Sequence, residues 1–211
     1  MSHNILLITS SPRQTSSLSS KVALELVEHL KREQPGAKVT VRDLARDPPP
    51  HIGDDFAAAR MLRTEPSSEQ QKALALSDAL IDELKAADTI VIASGMINFS
   101  LPTTLKSWFD YIIRPGKTFR YTPEGRAEGL VKGKIAYLVE ARGGIYSQGA
   151  LKAFDFQEPY LKLLLGFIGI TEVEIIRVEG VALGPAVMEK AVTDAIAQVR
   201  VLTFKPVVAT G

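Results

Sequence analysis

Residues Thr89 to Pro102 read T-I-V-I-A-S-G-M-I-N-F-S-L-P, and the first half of this stretch restricts the fold more than any other. Ile90 to Ser94 runs apolar without polar alternation, so both faces of such a strand must be covered. That is the pattern of a central strand in a parallel sheet clad by helices. In open sheets of this kind the ligand lies beyond the carboxyl ends of the strands. The turn that follows, Met96-Ile97-Asn98-Phe99, is built of large apolar side chains around one amide. Such a turn suits a flat, partly polar ring better than a phosphate or a metal.

The rest of the chain supplies partners for that strand. Asn4 to Thr9 reads as a first strand, followed by a helix from about Leu18 to Glu33 with Val22, Leu26 and Leu30 on one face and Pro35-Gly36 at its end. Lys38 to Asp43 alternates polar residues with Val39 and Val41, as a half-buried edge strand does. Ser67 and Gln70 form a capping-box pair that starts a helix running to about Ala86. Further helices are expected over Pro102 to Arg114, around Pro159 to Gly166, and over Ala186 to Leu202. Further strands are expected over Lys134 to Ala141 and Glu172 to Val178. Strands alternating with helices predict an α/β fold, a flavodoxin-like doubly wound five-stranded parallel sheet in the order 2-1-3-4-5 with helices on both faces. One domain spanning 1–211 is the simplest organisation for this length.

Two connections exceed what packing needs. Leu44 to Pro66 contains Pro48-Pro49-Pro50 and a short helical patch over Asp54 to Met61. Lys117 to Gly133 shows little core periodicity yet carries Phe119 and Tyr121, which argues for a functional loop.

Composition removes several classes of function. The 211 residues are 45% hydrophobic and 23% charged, with a formal charge of +1, so no basic footprint for nucleic acid or an anionic membrane is present. The greasiest run, Leu161 to Ile170, includes Lys162 and falls short of the ~20 residues that span a bilayer. The start of the chain lacks a basic, signal-like segment, and the cytoplasm is the expected location. With no cysteine, thiolate metal sites and cysteine nucleophiles are excluded. His3, His29 and His51 lack ligand spacing, so no metal is expected.

The candidate site follows from the switch point between the first and third strands. After the first strand comes Ser10-Ser11-Pro12-Arg13-Gln14-Thr15-Ser16-Ser17-Leu18-Ser19-Ser20, dense in hydroxyls where a helix begins. Free amides and partial positive charge at a helix start hold phosphate. The glycines and lysine of a Walker A loop are missing. After the third strand, Asn98 offers amide groups to a ring edge while Met96, Ile97 and Phe99 pack against it. After the fourth, Ala141-Arg142-Gly143-Gly144 lets backbone approach a ligand closely. Phosphate at one end and a flat ring at the other point to a flavin mononucleotide.

These residues also carry a resemblance. S-S-P-R with following serines, M-I-N-F-S-L-P-T-T-L-K-S-W-F-D, R-P-G-K-T-F-R-Y-T, A-R-G-G and P-Y-L-K-L-L-L-G-F-I-G-I resemble the FMN-dependent NADH:azoreductases and quinone reductases, in order and over Ile5 to about Val201. The resemblance implies a flavodoxin-like homodimer that uses FMN, with NADH or NADPH as donor and a quinone or azo compound as acceptor. It implies that Ser11, Ser17, Leu18 and Ser19 hold the phosphate. Met96, Ile97, Asn98 and Phe99 would hold the ring, and Ala141, Arg142, Gly143 and Gly144 its pyrimidine side. Tyr121 would line the substrate pocket, and no side-chain acid or base is implied. The chain departs from the family where Gly95-Met96-Ile97 replaces Pro-Met-Tyr, and where Ala141 replaces Ser. A flavodoxin-type electron carrier is the alternative from another class, although such carriers are shorter and strongly acidic. A hydrolase on the same fold would need a nucleophile or metal set that the sequence does not offer.

Overall fold

The computed structural model describes residues 3–60 and 65–203. Its frame is one parallel sheet of β1 (Asn4–Thr9), β2 (Lys38–Asp43), β3 (Thr89–Gly95), β6 (Ile135–Ala141) and β7 (Glu172–Val178), in the order β2-β1-β3-β6-β7. The intervening β4 (Phe119–Tyr121) and β5 (Ala127–Gly129) form a separate antiparallel pair. Without them the order is the expected 2-1-3-4-5. The central strands β3 and β6 are buried along nearly their whole length, which their unbroken apolar sequences require.

Helices cover both faces. On one side α1 (Leu18–Glu33) and α6 (Pro185–Arg200) pack on Ile5, Leu7, Val91, Tyr137 and Val139. Val22, Leu26 and Leu30 of α1 are fully buried there. On the other side lie α2 (Asp54–Ala59), α3 (Ser68–Ala86), α4 (Thr103–Ile112) and α5 (Glu158–Ile168). The capping box of α3 is present: the Ser67 amide donates to Gln70 Oε1 at 2.9 Å, and the Gln70 amide donates to Ser67 Oγ at 3.3 Å. The short α2 is anchored by Phe56, whose ring lies 4.4 Å from that of Tyr111. Its expected last residue, Met61, falls outside the described residues. Val41 departs from the half-buried pattern expected of β2: it is 59% exposed and lines a surface groove with Leu24.

The segment from Lys117 to Gly133 corrects an expectation. It is not a coreless loop, because the β4–β5 hairpin orders it. Phe119 is buried and packs 4.7 Å from the ring of Phe167 on α5. The Val131 amide donates to Ile168 O at 2.8 Å. The approach is so close that a Cβ on Gly129 would sit 2.2 Å from the Gly169 nitrogen. Only glycine fits there. These contacts are non-local, so the periodicity of the segment itself carries no sign of them.

Candidate functional site

The carboxyl ends of β1, β3, β6 and β7 send four loops to one edge of the sheet. Together they enclose a cavity of about 420 Å³. The loop after β1 contributes Ser11, Pro12 and Arg13, and the start of α1 contributes Ser17, Leu18 and Ser19. Gly95, Met96 and Ile97 come from β3, Ala141 and Gly143 from β6, and Val181 and Ala182 from the loop after β7.

The α1 end is rich in unspent donors. Ser17 is the N-cap: its Oγ accepts from the Ser20 amide at 3.2 Å and lies 3.2 Å from Ser19 Oγ. The Lys21 amide donates to Ser17 O, whereas the amides of Leu18 and Ser19 meet no acceptor among the described residues. Helix geometry leaves these first amides unpaired and gives them a partial positive charge. Ser11, Ser17 and Ser19 are all buried beside them, so hydroxyls and amides converge there, with Arg13 on the same loop.

The loop after β3 is a two-residue turn. The Ile97 amide donates to Ser100 O and the Ser100 amide to Ile97 O, each at 3.0 Å. Between them Asn98 (φ 46°) and Phe99 (φ 72°) both lie in the left-handed region, as type I′ geometry requires. Asparagine tolerates that region, but for phenylalanine it costs on the order of 1–3 kcal/mol. The turn holds the Phe99 ring outward, 6.3 Å from Tyr146 and 5.9 Å from Phe154. The Phe156 amide closes onto Phe99 O at 3.1 Å. The segment 145–156 is thereby folded over this loop.

The loop after β6 is stitched to its neighbours through carbonyls. The Met96 amide donates to Ala141 O, Val181 to Arg142 O, Ala182 to Gly143 O and Gly180 to Gly144 O. The amides of Gly143 and Gly144 meet no acceptor among the described residues. Added at Gly143, a Cβ would meet only the Ala182 methyl, at 3.5 Å.

The Arg142 side chain turns away from the cavity into a buried polar cluster. It donates to Glu140 Oε2 (2.5 Å), Asp155 Oδ2 (2.9 Å), Gln157 Oε1 (3.1 Å) and Glu179 Oε1 (3.2 Å). Burial raises the Glu140 carboxyl to about 8 against the opposing pull of Arg142. The neighbouring Glu158 and Asp155 carboxylates push it further in the same direction. Glu140 Oε1 also has no hydrogen-bond partner among the described residues. Glu158 behaves oppositely: burial works against its charge, but hydrogen bonds from Arg177 and Lys162 outweigh it and hold the carboxyl at about 2.

Of the residues singled out from sequence, Ser11, Ser17, Leu18, Ser19, Met96, Ile97, Ala141 and Gly143 line the cavity. Asn98, Phe99 and Gly144 flank it on the same loops. Tyr121 stands apart on β4, 64% exposed and edge-on to Phe119. Val181 and Ala182 escaped the sequence reading. The rule that places ligands at strand carboxyl ends applies equally to β7, and Gly180-Val181-Ala182-Leu183-Gly184 marked a tight loop there.

A family model described as having a flavodoxin-like fold matches residues 3–202. A protein of Rhizobium etli named FMN-dependent NADH:quinone oxidoreductase 2 is 48% identical over 203 residues, covering 96% of this chain and 98% of that one. The chain belongs to the FMN-dependent NADH:quinone oxidoreductase family. A second family member, FMN-dependent NADH:quinone oxidoreductase 1 of Burkholderia lata, is 50% identical over 192 residues, covering 90% of this chain and 93% of its own. Among solved structures, an azoreductase from Bacillus anthracis superposes with a TM-score of 0.87 at 28% identity, covering 94% of this chain and 97% of that one. An FMN-dependent NADH-azoreductase from the same organism, determined in complex with FMN, superposes at 0.83 and 28% identity, covering 93% and 97%. For a member of this family the cavity is the natural place to look for the cofactor. Its donor set fits FMN: hydroxyls and free amides at one end suit a terminal phosphate, and the free Gly143 amide at the other suits a ring carbonyl.

Proposed function

We propose that this chain is an FMN-dependent oxidoreductase, a single-domain cytoplasmic homodimer that passes reducing equivalents from NADH or NADPH to quinones and azo compounds. One observation carries the reading. The cavity has unspent amides at both ends, Leu18 and Ser19 at one and Gly143 at the other, with the apolar Met96 and Ile97 between them. The names of its relatives, FMN-dependent NADH:quinone oxidoreductase and azoreductase, agree with that chemistry.

When bound, FMN supplies the two-electron chemistry between a nicotinamide and an acceptor. Ser11, Ser17, Leu18 and Ser19 hold its phosphate. Met96, Ile97, Asn98 and Phe99 would hold the ring, and the Ala141–Gly144 backbone its pyrimidine side. There the Gly143 and Gly144 amides would favour an electron-rich ring. Tyr121 walls the acceptor pocket, and no side chain acts as a general acid or base. Donor and acceptor use one pocket in turn, which gives ping-pong kinetics. An azo bond taken to two amines needs two such turns. The half-exposed Phe99, Phe154 and Phe156 on one rim support burial against a second copy.

The test is direct. Protein loaded with FMN should show a flavin spectrum that bleaches with NADH without oxygen and recovers on adding a quinone. Initial rates at several quinone concentrations should give parallel lines. Failure to retain FMN would overturn the cofactor assignment, and intersecting lines the shared pocket. A fully active species sedimenting only at 22.9 kDa would remove the dimer.

A further inference from the structure

The polar cluster around Arg142 is larger than one loop needs. Its members come from three separated parts of the chain: Glu140 and Arg142 from β6 and its end, Asp155, Gln157 and Glu158 from the start of α5 and the residues before it, and Glu179 after β7. Arg142, Glu140 and Gln157 are essentially unexposed. A cluster this deep is costly to bury and weak as a source of stability, since apolar packing of equal volume does as well. It does fix geometry.

The connections run to the loops that border the cavity. From Arg142 Nε the chain of hydrogen bonds passes to Gln157 Oε1, and from Gln157 Nε2 to Ser94 Oγ at 3.2 Å, one residue before Gly95. Through Nη1 it passes to Glu179, whose Oε1 also accepts from the amides of Tyr146 and Ser147 at 2.8 and 3.0 Å. Glu179 thus draws in the chain on the far side of Gly143 and Gly144, and the next residues, Gly180 to Ala182, bond the carbonyls of Arg142, Gly143 and Gly144. Every carbonyl of the glycine pair is occupied by this arrangement, and neither amide meets an acceptor among the described residues.

We infer that Arg142 is a positioning residue for flavin recognition, acting through Gln157–Ser94 and through Glu179 to hold the loops after β3 and β6 in register at the ring end of the cavity. The inference rests on the FMN reading above. Arg142 touches carboxylates and an amide from several elements, so removing its fork loosens several cavity walls together. Among the described residues, the phosphate end, built on α1, has no hydrogen bond to this cluster.

That asymmetry supplies the test. Arg142→Lys keeps the charge but cannot reach four partners with one planar fork. Gln157→Leu cuts the link to Ser94 and leaves every charge in place. Dissociation constants for FMN and for riboflavin, which lacks the phosphate, are measured by fluorescence quenching on apoprotein whose circular dichroism matches wild type. Each variant should weaken both ligands by the same factor, about tenfold for Arg142→Lys and roughly threefold for Gln157→Leu. The paired loss of Ser17 and Ser19 hydroxyls should instead weaken FMN and spare riboflavin. The reduced flavin should lose more than the oxidised. A tenfold difference between them lowers the midpoint potential by about 30 mV for two electrons.

Wild-type protein that binds neither ligand would refute the FMN reading itself. If wild type binds and both variants keep riboflavin affinity within twofold and the potential within about 10 mV, Arg142 is not a positioning residue. Should Arg142→Lys fail to fold, Gln157→Leu decides alone.

Discussion

Replacing Gly129 with alanine drives a methyl group into the backbone at the end of α5. The new Cβ would lie 2.2 Å from Gly169 N, 2.3 Å from Ile168 C and 2.4 Å from Gly169 Cα, all atoms that no rotamer change can move. Ordinary contact begins at 3.4 Å, so the hairpin must withdraw by about 1.2 Å. That stretches the 2.8 Å bond from Val131 N to Ile168 O to about 4 Å, beyond hydrogen-bond range. It also pulls Phe119 off Phe167. Overpacking costs about 1–3 kcal/mol and an unmet buried amide about 1–3 more. A total of roughly 2–6 kcal/mol lowers Tm by about 4–24 °C in a chain of this length. Calorimetry on Gly129→Ala reads this directly. The hairpin carries Tyr121, while the cavity loops spring from the parallel sheet. KM for quinone should therefore rise with FMN affinity unchanged. A Tm within about 2 °C of wild type would show that the hairpin is not locked to α5, and the argument for Tyr121 as a fixed wall would fall with it.

Three further changes probe the cavity and the cluster. Ser17→Ala with Ser19→Ala should weaken FMN by about 1–3 kcal/mol and lower stability by about 1 kcal/mol through the lost cap, and an unchanged FMN dissociation constant would refute the phosphate assignment. Glu140→Gln should flatten the pH dependence of stability: the folded carboxyl keeps its proton up to about pH 8 while the unfolded one releases it near 4.5, so wild type loses stability as pH rises across that window. Urea midpoints measured from pH 5 to pH 9 check this, and parallel profiles for the two proteins would contradict the buried, proton-holding carboxyl. Ile97→Tyr adds an aromatic face worth about 0.5–1.5 kcal/mol at a partly exposed cavity position, and should shift kcat/KM between bulky and compact acceptors by about tenfold or less while FMN affinity moves little. Loss of FMN with unchanged acceptor preference would make Ile97 a cofactor contact only.

Strong local signals made most of the frame legible in the sequence. β1, α1, β2 and β7 span the expected residues, since unbroken apolar runs, a Ser cap and Pro-Gly punctuation each act over a few positions. The cavity was legible as loops, because a strand's carboxyl end and a helix's free amides follow from backbone geometry. The hairpin was hidden because β4 and β5 are three residues each and depend on α5 for their burial. Arg142 was read as part of a glycine turn. Its partners Glu140, Asp155 and Glu179 are ordinary surface residue types in sequence, and only folding brings them to one buried guanidinium.

The sheet pairings also order events as the chain folds. Asn4 must find Lys38 and Thr89 must find Ile135, so each rung of the parallel sheet waits for a helix-length excursion to close. Phe119 meets Gly129 across a single short turn. Closing a long excursion costs more chain entropy before any pairing returns it, and parallel sheets are slow for that reason. The hairpin is therefore able to form early, but it stays marginal until α5 arrives, because two strands alone do not persist in water. Its docking on Gly169 belongs to the late steps, after β6 and α5 have taken their places. The hairpin that bears Tyr121 is then seated last, onto a frame that already holds the loops around the cavity.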